Sequence, residues 1–288
     1  MSSDSAFFHR IRESRFFGNV HSIFERTINV RCKTTDELYT IASSRIDNAP
    51  NTLITEVSSF SDLGLVVGEE VFAENDQLYI GTKLSISIKE LTVWQSSLSI
   101  FPIELKTLRD NLAAARAYIN SYGKPGGMKQ FAGSSSFERE TMRLLEERSS
   151  GLLNALANDS MEDAAHYAIR LMGLGPGLTP SGDDFLVGLF AVIHLPRSPI
   201  SKYQPWCREV VIEAAELTNE ISYMALKKSA WGQVRESMGQ LLHSLMYESK
   251  ETMLLGLSAV LDIGSSSGTD IALGIISGLN LNLEQCWR

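Results

Sequence analysis

The sequence has few of the residues that mark several large protein classes. Its 288 residues include three cysteines and no Cys-x-x-Cys pair, which is typical of a reducing compartment and predicts no zinc site. No apolar run reaches the ~18–20 residues that cross a bilayer, and the N-terminus lacks the apolar core of a signal peptide. We therefore expect a cytoplasmic protein that does not act in a membrane.

Basic charge is also scarce, because 34 acidic residues outnumber 26 basic ones and give a formal net charge of −8. Binding to a phosphate backbone needs clustered Lys and Arg, so nucleic acid is excluded as the main partner. The chain also lacks a Walker loop and a His-Glu-x-x-His helix. Two common sequence signatures of nucleotide-binding enzymes and metalloproteases are thus absent.

The hydrophobic periodicity changes once, near residue 103. Residues 18–103 alternate apolar and polar positions and predict a mostly-β, barrel-like domain, preceded by an N-terminal arm or short helix over residues 1–17. Residues 104–288 repeat apolar positions at three- and four-residue steps and predict a larger all-α domain of about seven or eight helices. We expect one of these helices to be interrupted near Ser150-Gly151 and another to cover residues 206–226. The predicted fold class is α+β, without a Rossmann sheet.

The stretch at residues 173–184, Gly-Leu-Gly-Pro-Gly-Leu-Thr-Pro-Ser-Gly-Asp-Asp, dominates the helical part. Thr179 is predicted to cap a buried helix and Pro180 to occupy its first position. A glycine-rich loop before a helix N-terminus is typical of an anion site. Asp183 and Asp184 in the first turn suggest chemistry, although acids there also stabilise a helix through its dipole.

A second segment repeats this pattern near the C-terminus. Ser267-Gly268-Thr269-Asp270 matches Ser181-Gly182-Asp183-Asp184 as Ser-Gly-x-Asp, and each match is followed at the same spacing by a further glycine, Gly274 or Gly188. This spacing predicts two similar helix–loop–helix units. If their N-termini converge, Asp184 and Asp270 line one pocket.

We expect that pocket to bind a small anionic substrate. The candidate catalytic residues are Asp183 and Asp184. The candidates for binding substrate or anion are Gly175, Gly177, Thr179, Ser181, Gly182, Asn219, Glu220, Ser267, Gly268, Asp270 and His21. Asn219 and its neighbours also fit a helix break, and a lone His21 in a strand also fits simple packing. Positive charge must come from Lys124, Lys129, Arg170, a partner or a divalent ion such as Mg²⁺ or Mn²⁺.

Four segments carry a family resemblance that covers nearly the whole chain. Residues 173–188 resemble the signature of the AllH family, and so do residues 18–24, 218–222 and 264–274. The resemblance implies a subunit of oxamate carbamoyltransferase, assembled with two other subunits. A homo-oligomer is a further expectation. The implied reaction converts oxalurate and phosphate to oxamate and carbamoyl phosphate in anaerobic allantoin (purine) catabolism.

Three alternatives stay open at this point. The chain is alternatively a non-catalytic structural subunit whose loop docks a partner. Residues 181–188 also resemble the Gly-Ala-Gly-Asp step of ribokinase-like small-molecule kinases, although the α/β pattern of those enzymes is missing upstream. Paired acids at Asp183 and Asp184 also permit a metal-dependent hydrolase.

Overall fold

The computed structural model describes residues 1–13, 16–129, 135–213 and 215–286. The chain divides into two compact units, Met1–Ser96 and Ser97–Arg288. The predicted α+β class is confirmed, because the nine described strands all lie in the first unit and the long helices follow in the second. The predicted limits at residues 17 and 103 stay predictions. Within the described residues no helix is both long and apolar enough to span a membrane.

The first unit is one curled sheet, a half-barrel. Its strands are β1 (Ser2–Asp4), β2 (Phe17–Ile23), β3 (Thr27–Cys32), β4 (Leu38–Ser43), β5 (Thr52–Thr55), β6 (Glu70–Glu74), β7 (Gln77–Ile80), β8 (Leu84–Ser87) and β9 (Thr92–Trp94). They are ordered β8-β7-β6-β2-β3-β4-β5-β1-β9, and only the β4–β5 and β1–β9 pairs are parallel. The N-terminal segment joins this sheet through β1, and the following helix α1 (Ser5–Glu13) buries Phe7 against Tyr39.

The second unit is a helical domain around one central helix. Its helices are α2 (Lys106–Tyr122), α3 (Ser136–Ala157), α4 (Met161–Leu171), α5 (Ser181–Ile193), α6 (Gln204–Glu213), α7 (Glu220–Ser229), α8 (Glu236–Tyr247), α9 (Lys250–Leu261) and α10 (Ser267–Gln285). Every residue of α5 is buried, because this helix is apolar on all sides after its first turn. The apolar face of α10 packs along it. These two central helices position the site.

Three local predictions are wrong. α3 continues through Ser150-Gly151, where the missing side chain lets the ring of Tyr167 approach to 2.5 Å from an ideal Cβ position. The single helix expected over residues 206–226 is two helices, α6 and α7, because Asn219 caps a new start. Thr179 does not cap α5, and Pro180 precedes its first turn instead of occupying it.

Candidate functional site

The helices α5 and α10 cross with their backbones in contact. A Cβ at Gly188 would lie 2.1 Å from the carbonyl oxygen of Ile271, and a Cβ at Gly274 would lie 2.1 Å from that of Phe185. The two contacts are reciprocal, because the glycine of each helix lies against the carbonyl group of the fifth residue of the other helix. This crossing brings the N-termini of the two helices to one place.

The two loops that lead into these helices share one hydrogen-bond pattern. After α4, the Leu174 N–H donates to Leu171 O, and the Gly182 N–H donates to Leu174 O. After α9, the Ile263 N–H donates to Val260 O, and the Gly268 N–H donates to Ile263 O. The repeat predicted from the Ser-Gly-x-Asp match is therefore a repeat of backbone geometry, and its two N-termini converge.

The loops differ in length between these matching hydrogen bonds. Residues 175–181 separate the bonded pair in the first loop, and residues 264–267 separate it in the second. The three additional residues belong to the Gly-Pro-Gly-Leu-Thr-Pro segment, which is mostly exposed. The first loop therefore extends further from the buried helices than its counterpart.

Asp183 is fully buried and holds the first loop to α7. Its carboxylate accepts hydrogen bonds from the Gly173 N–H at 2.9 Å, from the Ser222 hydroxyl at 2.7 Å and from the Thr218 hydroxyl. Burial raises the pKa of Asp183, and the three donors oppose that rise. With its oxygens engaged in this way, Asp183 has a structural task.

Thr269 is the position in the α9–α10 helix–loop–helix that matches Asp183. It also holds a neighbouring segment, with fewer hydrogen bonds. Its hydroxyl accepts a hydrogen bond from the Lys124 N–H at 2.8 Å. Next to it, Asp270 Oδ1 accepts from the Met128 N–H at 2.8 Å. Gly127 lies so close that an ideal Cβ would be 2.1 Å from Asp270 Oδ2. Thr269 and Asp270 thus hold the segment at residues 123–129 over the N-terminus of α10.

Asp184 differs from both other acids, because its neighbours are the hydroxyl groups of Ser267 and Thr179 and not a backbone N–H group. Its residue is 5% exposed, and its Oδ2 is buried without a hydrogen-bond partner among the described residues. Burial is the main cause that raises the pKa of Asp184 to about 8; the hydroxyls of Ser267 and Thr179 oppose this rise, and the charge of Asp270 adds to it. Those two hydroxyl oxygens lie 2.7 Å apart and link the two loops. The raised pKa favours the protonated form of Asp184 near neutral pH.

Two more buried oxygen atoms near Asp184 belong to polar side chains, on Asp270 and Ser181. Asp270 Oδ2 and Ser181 Oγ lie beside the same glycine, Gly127, and neither makes a hydrogen bond of standard geometry in the described part of the chain, although the Ser181 hydroxyl opposes the rise of the Asp270 pKa. Burial raises the pKa of Asp270 to about 6. Unpaired buried polar atoms cost free energy, so a concentration of them between two helix ends is a strong sign of a ligand site.

The first-turn amides do not form the anion site expected for a free helix end. The Gly182 N–H is used by Leu174 O, and both the Asp183 and the Asp184 N–H donate to Pro180 O. The amides of Gly177 and Thr179 in the loop, and that of Ser181 at the start of α5, donate no hydrogen bond within the described residues. The buried floor therefore presents acceptors and carboxyl groups, and the loop above it presents N–H donors.

Asn219 and Glu220 lie beside this loop at the start of α7. Asn219 Oδ1 accepts from the Ile221 and Ser222 N–H groups, and Asn219 Nδ2 donates to Leu178 O at 2.7 Å. This amide both caps a helix and anchors the loop, so we interpret Asn219 as a positioning residue. Glu220 is an exposed residue in the first turn of α7.

His21 belongs to the first unit, on β2 where a bulge interrupts the pairing with β3. Its Nδ1 lies 3.1 Å from the Ser22 hydroxyl. Burial and the nearby charge of Arg31 lower the pKa of His21. Its predicted part in substrate binding stays a prediction.

The basic residues named from the sequence are engaged elsewhere. Lys124 Nζ lies 3.0 Å from Gly264 O, and Lys129 Nζ lies 2.6 Å from Gly123 O. Arg170 Nη1 lies 3.2 Å from the ring of His166. The described residues contain no group of three or more His, Cys, Asp or Glu side chains placed to hold a metal ion.

The sequence pattern missed the residues that hold the site from outside the two repeats. Gly127 and Met128 pack over Asp270, and Thr218 and Ser222 bind Asp183. The polar cluster at residues 218–222 was visible in the sequence, but its target was not. The segment at residues 123–129 was predicted only as a loop after a helix.

Comparison with known families agrees with this arrangement. The family model described as oxamate carbamoyltransferase subunit AllH matches residues 171–279, which contain both Ser-Gly-x-Asp loops. The model for the AllH family N-terminal domain matches residues 1–93. No solved structure matches the chain. Because the two family models together cover most of its length, the chain belongs to the AllH family.

Proposed function

We propose that this chain provides the carbamoyl-binding site of an oxamate carbamoyltransferase, between the N-termini of α5 and α10. The family name indicates a subunit of that enzyme. The observation that carries the proposal is the set of three buried, unpartnered oxygens, on Ser181, Asp184 and Asp270. In this proposal the enzyme acts in the cytoplasm on oxalurate that comes from allantoin breakdown.

The chemistry of the floor matches a carbamoyl group better than a bare anion. Carboxyl and hydroxyl oxygens accept hydrogen bonds, and the –NH₂ and –NH– groups of oxalurate supply donors for them. The free amides of Gly177 and Thr179 are in turn suited to the phosphate or the carboxylate of the substrates. A protonated Asp184 also removes the repulsion that an ionised carboxylate would exert on an anionic ligand.

The protonated form of Asp184 also suits the proposed reaction. In the forward direction a phosphate oxygen attacks the carbamoyl carbon of oxalurate, and the bond from that carbon to the oxamate nitrogen breaks. The leaving nitrogen needs a proton, which Asp184 donates, and the proton lost by hydrogen phosphate restores Asp184. The products are oxamate and carbamoyl phosphate, so atoms and charge balance. Asp270, held by the Met128 N–H, keeps the facing side of the pocket in place.

Ligand binding by the purified chain tests the proposal. We expect oxalurate to raise its melting temperature, and inorganic phosphate alone to raise it much less, because a ligand of the folded state stabilises by mass action. Asp184→Asn should abolish the response, whereas Asp262→Asn, at an exposed aspartate in the second loop, should keep it. If the Asp184→Asn variant binds oxalurate and carbamoyl phosphate as tightly as the wild-type chain does, the proposed site is wrong.

The alternatives predict different results in the same experiment. A response to ATP would favour a small-molecule kinase, although the described chain separates its strands from its long helices and so lacks the alternating pattern of ribokinase-like enzymes. A response to Mn²⁺ that Asp184→Asn removes would favour a metal-dependent hydrolase. A purely structural subunit predicts that Asp184→Asn impairs assembly with the other subunits and that no ligand binds this chain.

A further inference from the structure

Three exposed apolar side chains lie on or next to segments that contact the residues of the site. Leu178 is in the first loop and is 62% exposed. Leu217, 48% exposed, belongs to the segment whose backbone packs against Gly173, where an ideal Cβ would lie 2.2 Å from Leu217 O. Tyr122, 68% exposed, directly precedes the segment that covers Asp270. We call these three residues the site rim.

The exposed side chains of the rim lie on or next to segments that are held in place. The backbone beside two of them is held in place, since Leu178 O accepts from Asn219 Nδ2, and Gly123, which follows Tyr122, packs on the methyl group of Thr269. An apolar side chain that stays in water lacks the stabilisation that burial would give it. Anchored apolar residues around a polar opening are typical of an interaction surface.

The charge around the rim is mainly acidic. Exposed carboxylates at Glu213 and Glu216 flank Leu217, and Asp262 lies beside the second loop. The two lysines of the segment at residues 123–129 bind backbone carbonyl oxygens, and Lys124 Nζ also lies 3.9 Å from Asp262 Oδ1. A phosphate dianion, however, is held best by the charged donors of Arg or Lys.

These observations point to one occupant. We propose that the site rim is the docking surface for another subunit of the carbamoyltransferase, and that this subunit places a Lys or Arg side chain over the opening to hold the phosphate. The inference rests on the proposed function, because it assigns to the partner the positive charge that the carbamoyl site needs. The acidic residues around the rim complement a basic partner face and guide its approach.

Assembly of the complete enzyme tests the inference separately from ligand binding. Leu178→Asp and Leu217→Asp should each weaken binding to the purified partner subunits at least tenfold. Ile103→Asp is the matched control, because Ile103 is 95% exposed and precedes the opposite end of α2, a helix about 25 Å long. All three variants should keep the melting temperature of the wild-type chain, and the control should assemble normally.

Two results would overturn the inference. The first is normal assembly of both rim variants. The second is a homodimer of the isolated chain, measured by light scattering, that Leu178→Asp dissociates, since a second copy would then occupy the rim. If the isolated wild-type chain does not bind oxalurate, that result would instead count against the proposed function. Glu216→Lys should also weaken assembly, and its effect should shrink as salt is raised.

Discussion

The α4–α5 unit and the α9–α10 unit have the same backbone and different chemistry. In both, the loop bends over the last carbonyl of the first helix, and a serine and a glycine begin the second helix. In the α4–α5 unit the loop is longer, and Asp184 has no structural partner for Oδ2. In the α9–α10 unit Asp270 anchors a neighbouring segment. A repeated scaffold thus separates into one half that we expect to act on the ligand and one half that supports it.

The largest effect should come from removing the close crossing that pairs the two units. Gly188→Ala or Gly274→Ala places a methyl group 2.1 Å from a backbone carbonyl oxygen of the other helix. Because backbone cannot move aside cheaply, each variant should lose about 3 kcal/mol of unfolding free energy in urea titrations. Gly256→Ala on α9 is the control, since its nearest neighbour is the hydroxyl of Ser244 at 3.2 Å. Equal stability of all three variants would contradict the reciprocal contact.

The adjacent acids Asp183 and Asp184 should respond in opposite ways to the same change. Asp183→Asn turns an amide donor toward the Thr218 and Ser222 hydroxyls and the Gly173 N–H, so we expect a loss of about 2–3 kcal/mol. Asp184→Asn removes a buried acid whose pKa is raised by burial, so at neutral pH it should leave the stability unchanged or increase it. Chemical denaturation of both variants distinguishes the two acids, and a larger loss for Asp184→Asn would reverse our assignment.

The pH dependence of stability should report Asp184 directly. Its pKa is about 8 in the folded chain, well above its ordinary value of 3.8, so the folded state binds this proton more tightly than the unfolded state. The contribution is complete below pH 3.8 and is lost as pH rises through about 8. Asp270, with a pKa raised to about 6, acts in the same direction over a lower range.

Melting temperatures from pH 5 to 9 therefore provide the measurement. For the wild-type chain we expect the stability that is linked to these two acids to fall across this range. The Asp184→Asn variant should lose the part of the decline between about pH 6 and 8, whereas Asp262→Asn should keep it. An unchanged profile in the Asp184→Asn variant would show that its carboxyl group is ionised throughout.

The smallest effect should come from Thr269, the position in the α9–α10 unit that matches Asp183. Thr269→Val keeps the shape of the side chain and removes the acceptor for the Lys124 N–H, so we expect a loss of about 1 kcal/mol. The segment at residues 123–129 should also be cleaved faster by a protease. If Thr269→Val costs as much as Asp183→Asn, the two units support their loops equally and the proposed division of tasks is wrong.

Part of the site followed directly from the sequence. The Ser-Gly-x-Asp repeat predicted two similar helix–loop–helix units and their convergence, because small residues and caps have local backbone consequences that do not depend on the rest of the chain. The change of periodicity near residue 103 predicted the α+β class for the same reason. The helix end at Asn219 was among the readings that its sequence allowed.

Other predictions failed because they depend on neighbours that are distant in sequence. Gly151 looked like a helix break, yet the ring of Tyr167 on α4 needs that space and α3 continues. Thr179 looked like a cap, yet its hydroxyl is paired with Ser267, 88 residues later. Local preference is worth about 1 kcal/mol per residue, and tertiary packing of this kind outweighs it.

By itself, the sequence determined the order of a β unit and a helical unit, the two loops, and the three acids that begin their helices. Only the tertiary structure decided which acid is available. Asp183 and Asp184 are adjacent and equally acidic in the sequence, but successive positions on a helix point in different directions. One carboxylate therefore meets the hydroxyls of α7 and its preceding segment, and the other faces α10, where burial outweighs the two nearby hydroxyls and raises its pKa.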